Sequence, residues 1–386
     1  MRFLLVSTHI DQITGYSKVS YNLINELSKT SHKVFHFGFQ RNQAKANVRK
    51  YPQGVYSYDA EANEDPKEQG FGFNKIYEYI ELVNPDVVMI YNDPLIINKF
   101  IESMKHDKAT STYKLWIYID QVYTGIAKPL IDTIHTHADK IFCFSDIWKS
   151  RFSNYGDFPE VHVLEHGLDK SFFKISNTEQ IKKKLNLPAD AIVLLNANRN
   201  SQRKRLDLTL QGFSKIISKN PNAYLMMITN LKQGPYDIPT IWRNEVLPEY
   251  HNRLLLIDSS KGDMTDSMLN ELYNIADIGV NTSDGEGYGL CQLEHLALGK
   301  PQVVTDIGTY RTFMNEEVAE FIPEADRLYL CSIVGLYSWT FKVEDVAYAM
   351  QKCIDTLDSK RKAISKLQFK DWTEVCEKFI SSLGRV

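Results

Sequence analysis

Cysteine is scarce in this 386-residue chain, and its five copies, Cys143, Cys291, Cys331, Cys353 and Cys376, form no CxxC pair. An odd, scattered set argues against a disulfide framework or a thiolate metal site and for a reducing compartment. No stretch reaches 18 uninterrupted apolar residues, which excludes an obvious membrane-spanning helix. The opening MRFLLVSTHID is too short an apolar run for a secretory leader. Any membrane contact is therefore expected to be peripheral. Positive charge is not in excess either. The formal net charge of −3 is a poor match for a nucleic-acid binder. GxGxxG is absent as well, which counts against a nicotinamide oxidoreductase on a dinucleotide scaffold.

What the chain does have is a recurring alternation. Short runs rich in Val, Ile, Phe and Tyr appear at residues 3–6, 34–37, 87–90, 115–119, 141–144 and 161–164. They continue at 192–195, 224–228, 254–257, 278–280 and 302–304. Helical faces lie between them, such as Val19/Leu23/Ile24/Leu27 and Leu206/Leu210/Phe213/Ile217. Apolar strands alternating with amphipathic helices predict parallel sheets covered on both faces, and eleven candidates predict two sheets. The polar stretch HGLDKSFFKISNTEQIKKKLNLPAD divides them. The expected organisation is one domain over 1–167, a second over 168–365, and a last helical segment over 366–386, with Trp372, Val375, Phe379 and Leu383 on one face, that could pack on either domain.

The stretch GEGYGLCQLEHLALGKPQVVTD places Glu286 in a loop after the 278–280 strand, with a helix expected over 288–298 ended by Gly299. Ligands of open α/β sheets sit at such strand ends. The backbone of Gly287, Tyr288, Gly289 and Leu290 falls at the helix start, an anion-favouring position. Glycine at 285, 287 and 289 lets a ligand approach the backbone closely. Glu294, two helical turns beyond Glu286, suits vicinal ribose hydroxyls. As an isolated pair the acids read as a loop carboxylate and a solvated helix residue, and the surrounding pattern favours a ligand. A second segment, NANRNSQRKRLDL, puts Asn198, Arg199, Arg203, Lys204 and Arg205 in the loop after another strand, where cations match a diphosphate. Taken alone it reads as a solvated basic loop. In the first domain, Gly15 and Tyr16 open a helix after the first strand as candidate donor contacts, Gly15 as a phosphate approach. Asp120 ends a strand as a sugar or acceptor contact or a turn cap. Arg41, Lys45, Arg49 and Lys50 read as an exposed basic loop, the one candidate face for a lipid acceptor. No histidine spacing suggests metal ligation.

LNELYNIADIGVNTSDGEGYGLCQLEHLALGKPQVVTDIG resembles the long signature of the family 4 retaining glycosyltransferases (GT4), with its Glu-x7-Glu spacing at Glu286 and Glu294. NRNSQRKRLDLTLQGF resembles the family's Arg-x4-Lys segment at Arg199 and Lys204, with Arg205 where glycine is common. VHVLEHGLDKSFF and FKDWTEVCEKF resemble its linker and final helix. The first domain departs from the pattern, with Tyr16 in place of a second glycine and Asp120 where many members have histidine. The resemblance implies a GT-B fold, two Rossmann-like doubly wound domains facing a cleft, with 1–167 the acceptor-binding domain, 168–365 the donor-binding domain, and the helix over 366–386 crossing back to the first. It implies a cytoplasmic hexosyltransferase moving a sugar with retention from a nucleoside-diphosphate donor, GDP-mannose ahead of UDP-hexose. The acceptor is a glycan, glycoprotein or lipid, and neither metal nor cofactor is required. Arg199 and Lys204 would hold the diphosphate, Glu286 the sugar, Glu294 the ribose, and the 287–290 backbone the phosphate, by a front-face route. The competing readings are a silent nucleotide-sugar binder and a GT-B epimerase.

Overall fold

The computed structural model describes residues 1–41, 49–64, 68–156, 161–261, 264–330 and 332–383. They form two compact units. The first comprises Met1–Gly167, Tyr329–Tyr337 and the chain from Lys370, and the second Leu168–Leu328 and Ser338–Phe369.

The first unit is built on β1 (Arg2–Thr8), α1 (Gly15–Ser28), β2 (Lys33–Phe39), β3 (Tyr56–Asp59), α2 (Ile76–Val83), β4 (Val87–Asn92) and α3 (Pro94–Met104). β5 (Lys114–Ile119), α4 (Lys128–His137), β6 (Lys140–Cys143), α5 (Asp146–Phe152) and β7 (Val161–Val163) complete it. Its seven strands pair in the order β3-β2-β1-β4-β5-β6-β7, each pair parallel. Phe3 to Val6 of β1 are all fully buried. A strand apolar throughout, with helices on both sides, is what a central parallel strand requires.

The second unit follows through α6 (Glu179–Lys184), β8 (Ile192–Asn196), α7 (Leu206–Ile216), β9 (Ala223–Thr229), α8 (Ile238–Glu245), β10 (Leu254–Asp258), α9 (Asp266–Ile275) and β11 (Ile278–Asn281). It continues with α10 (Leu290–Ala297), β12 (Gln302–Thr305), β13 (Ala319–Ile322), β14 (Arg327–Tyr329), β15 (Tyr337–Trp339), α11 (Val343–Asp355) and α12 (Leu357–Ile364). Six parallel strands run β10-β9-β8-β11-β12-β13. Alternation along β8 divides the core. Leu194 packs with Phe213, Trp242 and Met350 on one face, and Val193 and Leu195 pack with Leu168, Phe173 and Tyr273 on the other. The chain thus has the α/β class expected of it, two Rossmann-like parallel sheets.

Two boundaries differ from the expected 168–365 and 366–386: Tyr329–Tyr337, the turn between β14 and β15, falls in the first unit, and the return to that unit begins at Lys370. The Leu336 N–H donates to the Thr124 carbonyl and the Ala127 N–H to that of Ile333, both at 2.9 Å. Backbone pairing of this kind leaves no periodic trace in sequence. The last helix, α13 (Trp372–Leu383), packs on the first unit, with Phe379 edge-on to Phe3, Trp116 and Phe142. Gly167 makes that return possible, because a Cβ there would lie 2.5 Å from the backbone nitrogen of Trp372.

The expected exposure of the loop holding Arg41, Arg49 and Lys50 is corrected at Arg41 and Arg49, while Lys50 is exposed. Arg41 pairs with Asp11 at 3.2 Å and with Asp59 at 3.0 Å. Arg49 is buried and donates to the carbonyls of Ile10 and Gln12. Carboxylates and carbonyls at the ends of the first three strands draw these arginines inward. Lys45 and Cys331 lie outside the described residues. None of the four described cysteines forms a disulfide with another. No helix among the described residues is long and apolar enough to cross a membrane.

Candidate functional site

In the second unit the chain leaves β8 toward β9 on one side, while β11 lies on the other side of β8. The strand order reverses there, and loops at the carboxyl ends of the two strands flank the crevice that forms at such a point. The loop after β8 carries Asn198, Arg199, Arg203 and Lys204, and the loop after β11 carries Glu286.

A polar lattice fastens the two loops together. Asn196 donates to Thr209 at 2.8 Å, whose hydroxyl lies 2.7 Å from that of Thr282. Thr282 in turn donates to the Arg205 carbonyl at 2.7 Å. Asn198 is buried and donates to the Asn196 side chain at 2.8 Å. Arg205 has φ 44°, a left-handed conformation that turns the chain into α7. The Asp284 N–H donates to the Arg203 carbonyl at 3.0 Å, so the two loops are joined through backbone as well.

Within this frame lies an ion triad. Lys204 Nζ approaches Oε1 and Oε2 of Glu286 at 2.9 and 2.6 Å. Arg203 donates to Glu286 Oε2 at 2.7 Å and also to the carbonyl of Gly285. The Lys204 side chain is only 7% exposed and that of Glu286 14%. Burial works to raise the Glu286 pKa, but the charges of Lys204 and then Arg203 outweigh it and hold the carboxyl at about 2. Burial lowers the Lys204 pKa, and Glu286 restores part of the loss. Each member of the pair supplies the other's counter-charge.

Arg199 stands apart. It is exposed and, among the described residues, its guanidinium makes no hydrogen bond or ion pair. The structure thus joins Arg203 and Lys204 at Glu286, while Arg199, which the family resemblance pairs with Lys204 for the diphosphate, lies outside this ion triad. The signal for Arg203 was present in the basic run, but nothing in that run told its four cations apart.

Below Glu286 the chain passes Gly287, Tyr288 and Gly289 before α10 starts at Leu290, two residues later than expected. Gly289 is the helix N-cap with φ 91°, and the amides of Gln292 and Leu293 bond to its carbonyl. Of the three glycines proposed for close backbone approach, Gly289 alone has positive φ. Its missing side chain also accommodates the buried ring of Tyr310, since a Cβ would lie 2.4 Å from Cε1. Thr309 donates to the Gly287 carbonyl at 2.6 Å, and Tyr288 is buried in a stack on Phe313. The segment after β12 is therefore the floor of the glutamate loop, and no motif announced it. Glu294 is only 2% exposed, and its Oε2 accepts from the Tyr273 hydroxyl at 3.4 Å.

Gly15, Tyr16 and Asp120 belong to the first unit. Thr14 caps α1 by accepting from the Ser17 N–H, so exposed Gly15 is the first helical residue. The Tyr16 ring lies 5.5 Å from that of Tyr91. Burial and then the Asp120 charge push the Tyr16 pKa well up, which keeps the phenol protonated. These residues sit at the carboxyl ends of β1, β4 and β5, where the order of the first sheet reverses. Among the described residues no group of three or more His, Cys, Asp or Glu is placed to hold a metal.

Residues 191–330 match a family model described as Glycosyl transferases group 1. The chain is 28% identical over 171 residues to a D-inositol 3-phosphate glycosyltransferase of Thermomonospora curvata, covering 42% of this chain and 39% of that one. It spans about two fifths of the length of the curated relatives it matches. A sucrose-phosphate synthase structure from Thermosynechococcus elongatus superposes with TM-score 0.74 at 17% identity, covering 100% of this chain and 98% of that one. Anabaena Alr3699/HepE in complex with UDP-glucose gives TM-score 0.70 at 14% identity, covering all of both chains. At these identities the structures speak for the fold, which is that of the GT-B class.

Proposed function

We propose that this protein is a retaining hexosyltransferase that moves a sugar from a nucleoside-diphosphate donor to an acceptor hydroxyl without a metal. One observation carries the reading. The Lys204–Glu286–Arg203 triad sits at the strand reversal of the unit that matches the group 1 glycosyltransferase model. Departure of a diphosphate develops negative charge on its oxygens, and fixed cations in a part-buried site stabilise that charge. Lys204 and Arg199 supply it, the first buried and the second exposed. The N-terminus of α10 adds a favourable dipole for the phosphates. Glu286 receives the hexose hydroxyls, and Glu294, steadied by Tyr273, the ribose.

Tyr16 and Asp120 in the first unit are assigned to the acceptor side, as donors and acceptors for a hydroxyl-bearing glycan, glycoprotein or lipid. A front-face route suits the absence of a second carboxylate assigned to the sugar, with the leaving phosphate taking the acceptor proton. Of the two donor classes, UDP-hexoses gain support from a neighbour solved with UDP-glucose, and GDP-mannose remains the competing class.

The test is a thermal-shift screen with UDP, GDP and their hexose conjugates, followed by nucleotide release with and without glycan acceptors. A nucleotide at a hundredfold excess over its Kd adds about 2.7 kcal/mol of stability. One base is expected to dominate. Lys204→Ala is expected to lower kcat by roughly 10²–10³, the scale of losing one transition-state charge donor. No shift with any nucleoside diphosphate would remove the reading. Turnover of donor alone to an isomeric sugar nucleotide would replace it with an epimerase.

A further inference from the structure

The donor reading leaves one feature of the triad unexplained. Glu286 occupies the cation that the diphosphate is supposed to use. Both carboxylate oxygens face Lys204, and among the described residues Lys204 Nζ has no other hydrogen-bond partner. Arg203 is tied differently. It reaches Glu286, and it also donates to the Gly285 carbonyl, a backbone acceptor that moves only with the loop. One cation is therefore held by the carboxylate alone, and the other is anchored to the loop.

Two anions compete poorly for one buried ammonium. A diphosphate beside an ionised Glu286 meets like charge at hydrogen-bond range, in surroundings where little water screens it. The smaller cost is to move the carboxylate, because Arg203 offers it a second hold.

Resting on the donor reading above, we infer that Glu286 is the resident counter-ion of the phosphate site. The diphosphate displaces it from Lys204, while Arg203 keeps it at Gly285, turned to the sugar hydroxyls. Arg203 is on this account a positioning residue. The exchange makes the sugar-binding carboxylate conditional on the diphosphate. A bare pyrophosphate must evict Glu286 and gains nothing in return, whereas a donor's own sugar gives the displaced carboxylate new partners. The triad thus discriminates in favour of an intact sugar nucleotide over the anion alone.

The experiment is calorimetric titration of the native full chain, Glu286→Gln and Glu286→Asp with inorganic pyrophosphate. The aspartate variant keeps the charge but draws the carboxylate one methylene back from Lys204, so it guards against a fold defect in the glutamine variant. Both are expected to bind pyrophosphate about tenfold tighter than native protein, with kcat reduced. A merely damaged site would not gain affinity. Arg203→Lys is expected to leave pyrophosphate affinity within about twofold of native and to lower kcat. Equal or weaker pyrophosphate binding by both Glu286 variants overturns the exchange and leaves the donor reading standing. Failure of every form to bind either pyrophosphate or a nucleoside diphosphate overturns the donor reading, and the exchange with it.

Discussion

Replacing Gly289 by alanine tests how the glutamate loop is held. The residue has φ 91° and ψ 49°. A Cβ in the left-handed region costs about 1–2 kcal/mol. It would also stand 2.4 Å from Tyr310 Cε1 and 3.0 Å from Cδ1, and this ring has no exposed surface and so little freedom to withdraw. Overpacking of that kind costs about 1–3 kcal/mol. The sum is roughly 2–5 kcal/mol, which lowers the transition of a unit this size by about 5–15 °C. Two units need not melt together, so differential scanning calorimetry with resolved transitions is the assay. The two contributions separate in a Tyr310→Leu background. Removing the ring removes the collision and leaves the backbone term, so the second substitution should cost about 1–2 kcal/mol there, a coupling visible in a double-mutant cycle. A Gly289→Ala shift under 2 °C, or an equal cost in both backgrounds, would refute the argument that Tyr310 supports the loop.

Phe379→Ala should destabilise the first unit by about 3–5 kcal/mol, because the ring packs edge-on to Phe3, Trp116 and Phe142. Chemical denaturation reads this, and a loss below 1 kcal/mol would mean that α13 is not docked there. Lys204→Met strands Glu286 with one cation and should cost about 3–5 kcal/mol, while Lys204→Met/Glu286→Leu should recover much of it. Urea midpoints of the four forms complete that cycle. Acid should weaken both units. Burial holds the imidazoles of His166 and His295 at about 3, below the ordinary 6.5, so the unfolded chain binds more protons between those values. Stability is therefore whole above pH 6.5 and falls toward pH 3 by about 1.4 kcal/mol per pH unit per histidine. A urea midpoint unchanged between pH 7 and pH 5 would contradict this.

Periodicity alone was enough to expose the two parallel sheets. A strand buried on both faces must be apolar at every position, and Phe3–Val6 and Val193–Leu195 are. The weaker edges escaped notice. β3, YSYD, is half exposed and has no apolar run, and β13, AEFI, is broken by a glutamate that pairs with Lys352 and Lys360. In the candidate site, the spacing of Glu286 and Lys204 was legible as residue types at strand ends, because strand ends are where an open sheet binds. Spacing could not say that these two residues touch, eighty-two positions apart, or that Arg203 and not Arg199 completes the contact. Nor could it say that Thr309 and Tyr310 lie beneath the loop.

The amino-acid order by itself determined the strands, the helices and the candidate chemistry, since these depend on neighbours along the chain and on which side chains are apolar. Tertiary structure alone decided which cation meets which carboxylate, which buried ring requires a glycine, and where the returning C-terminal helix docks. Those outcomes depend on distances between segments far apart in the chain, set by sheet order and core packing, and no local pattern encodes them.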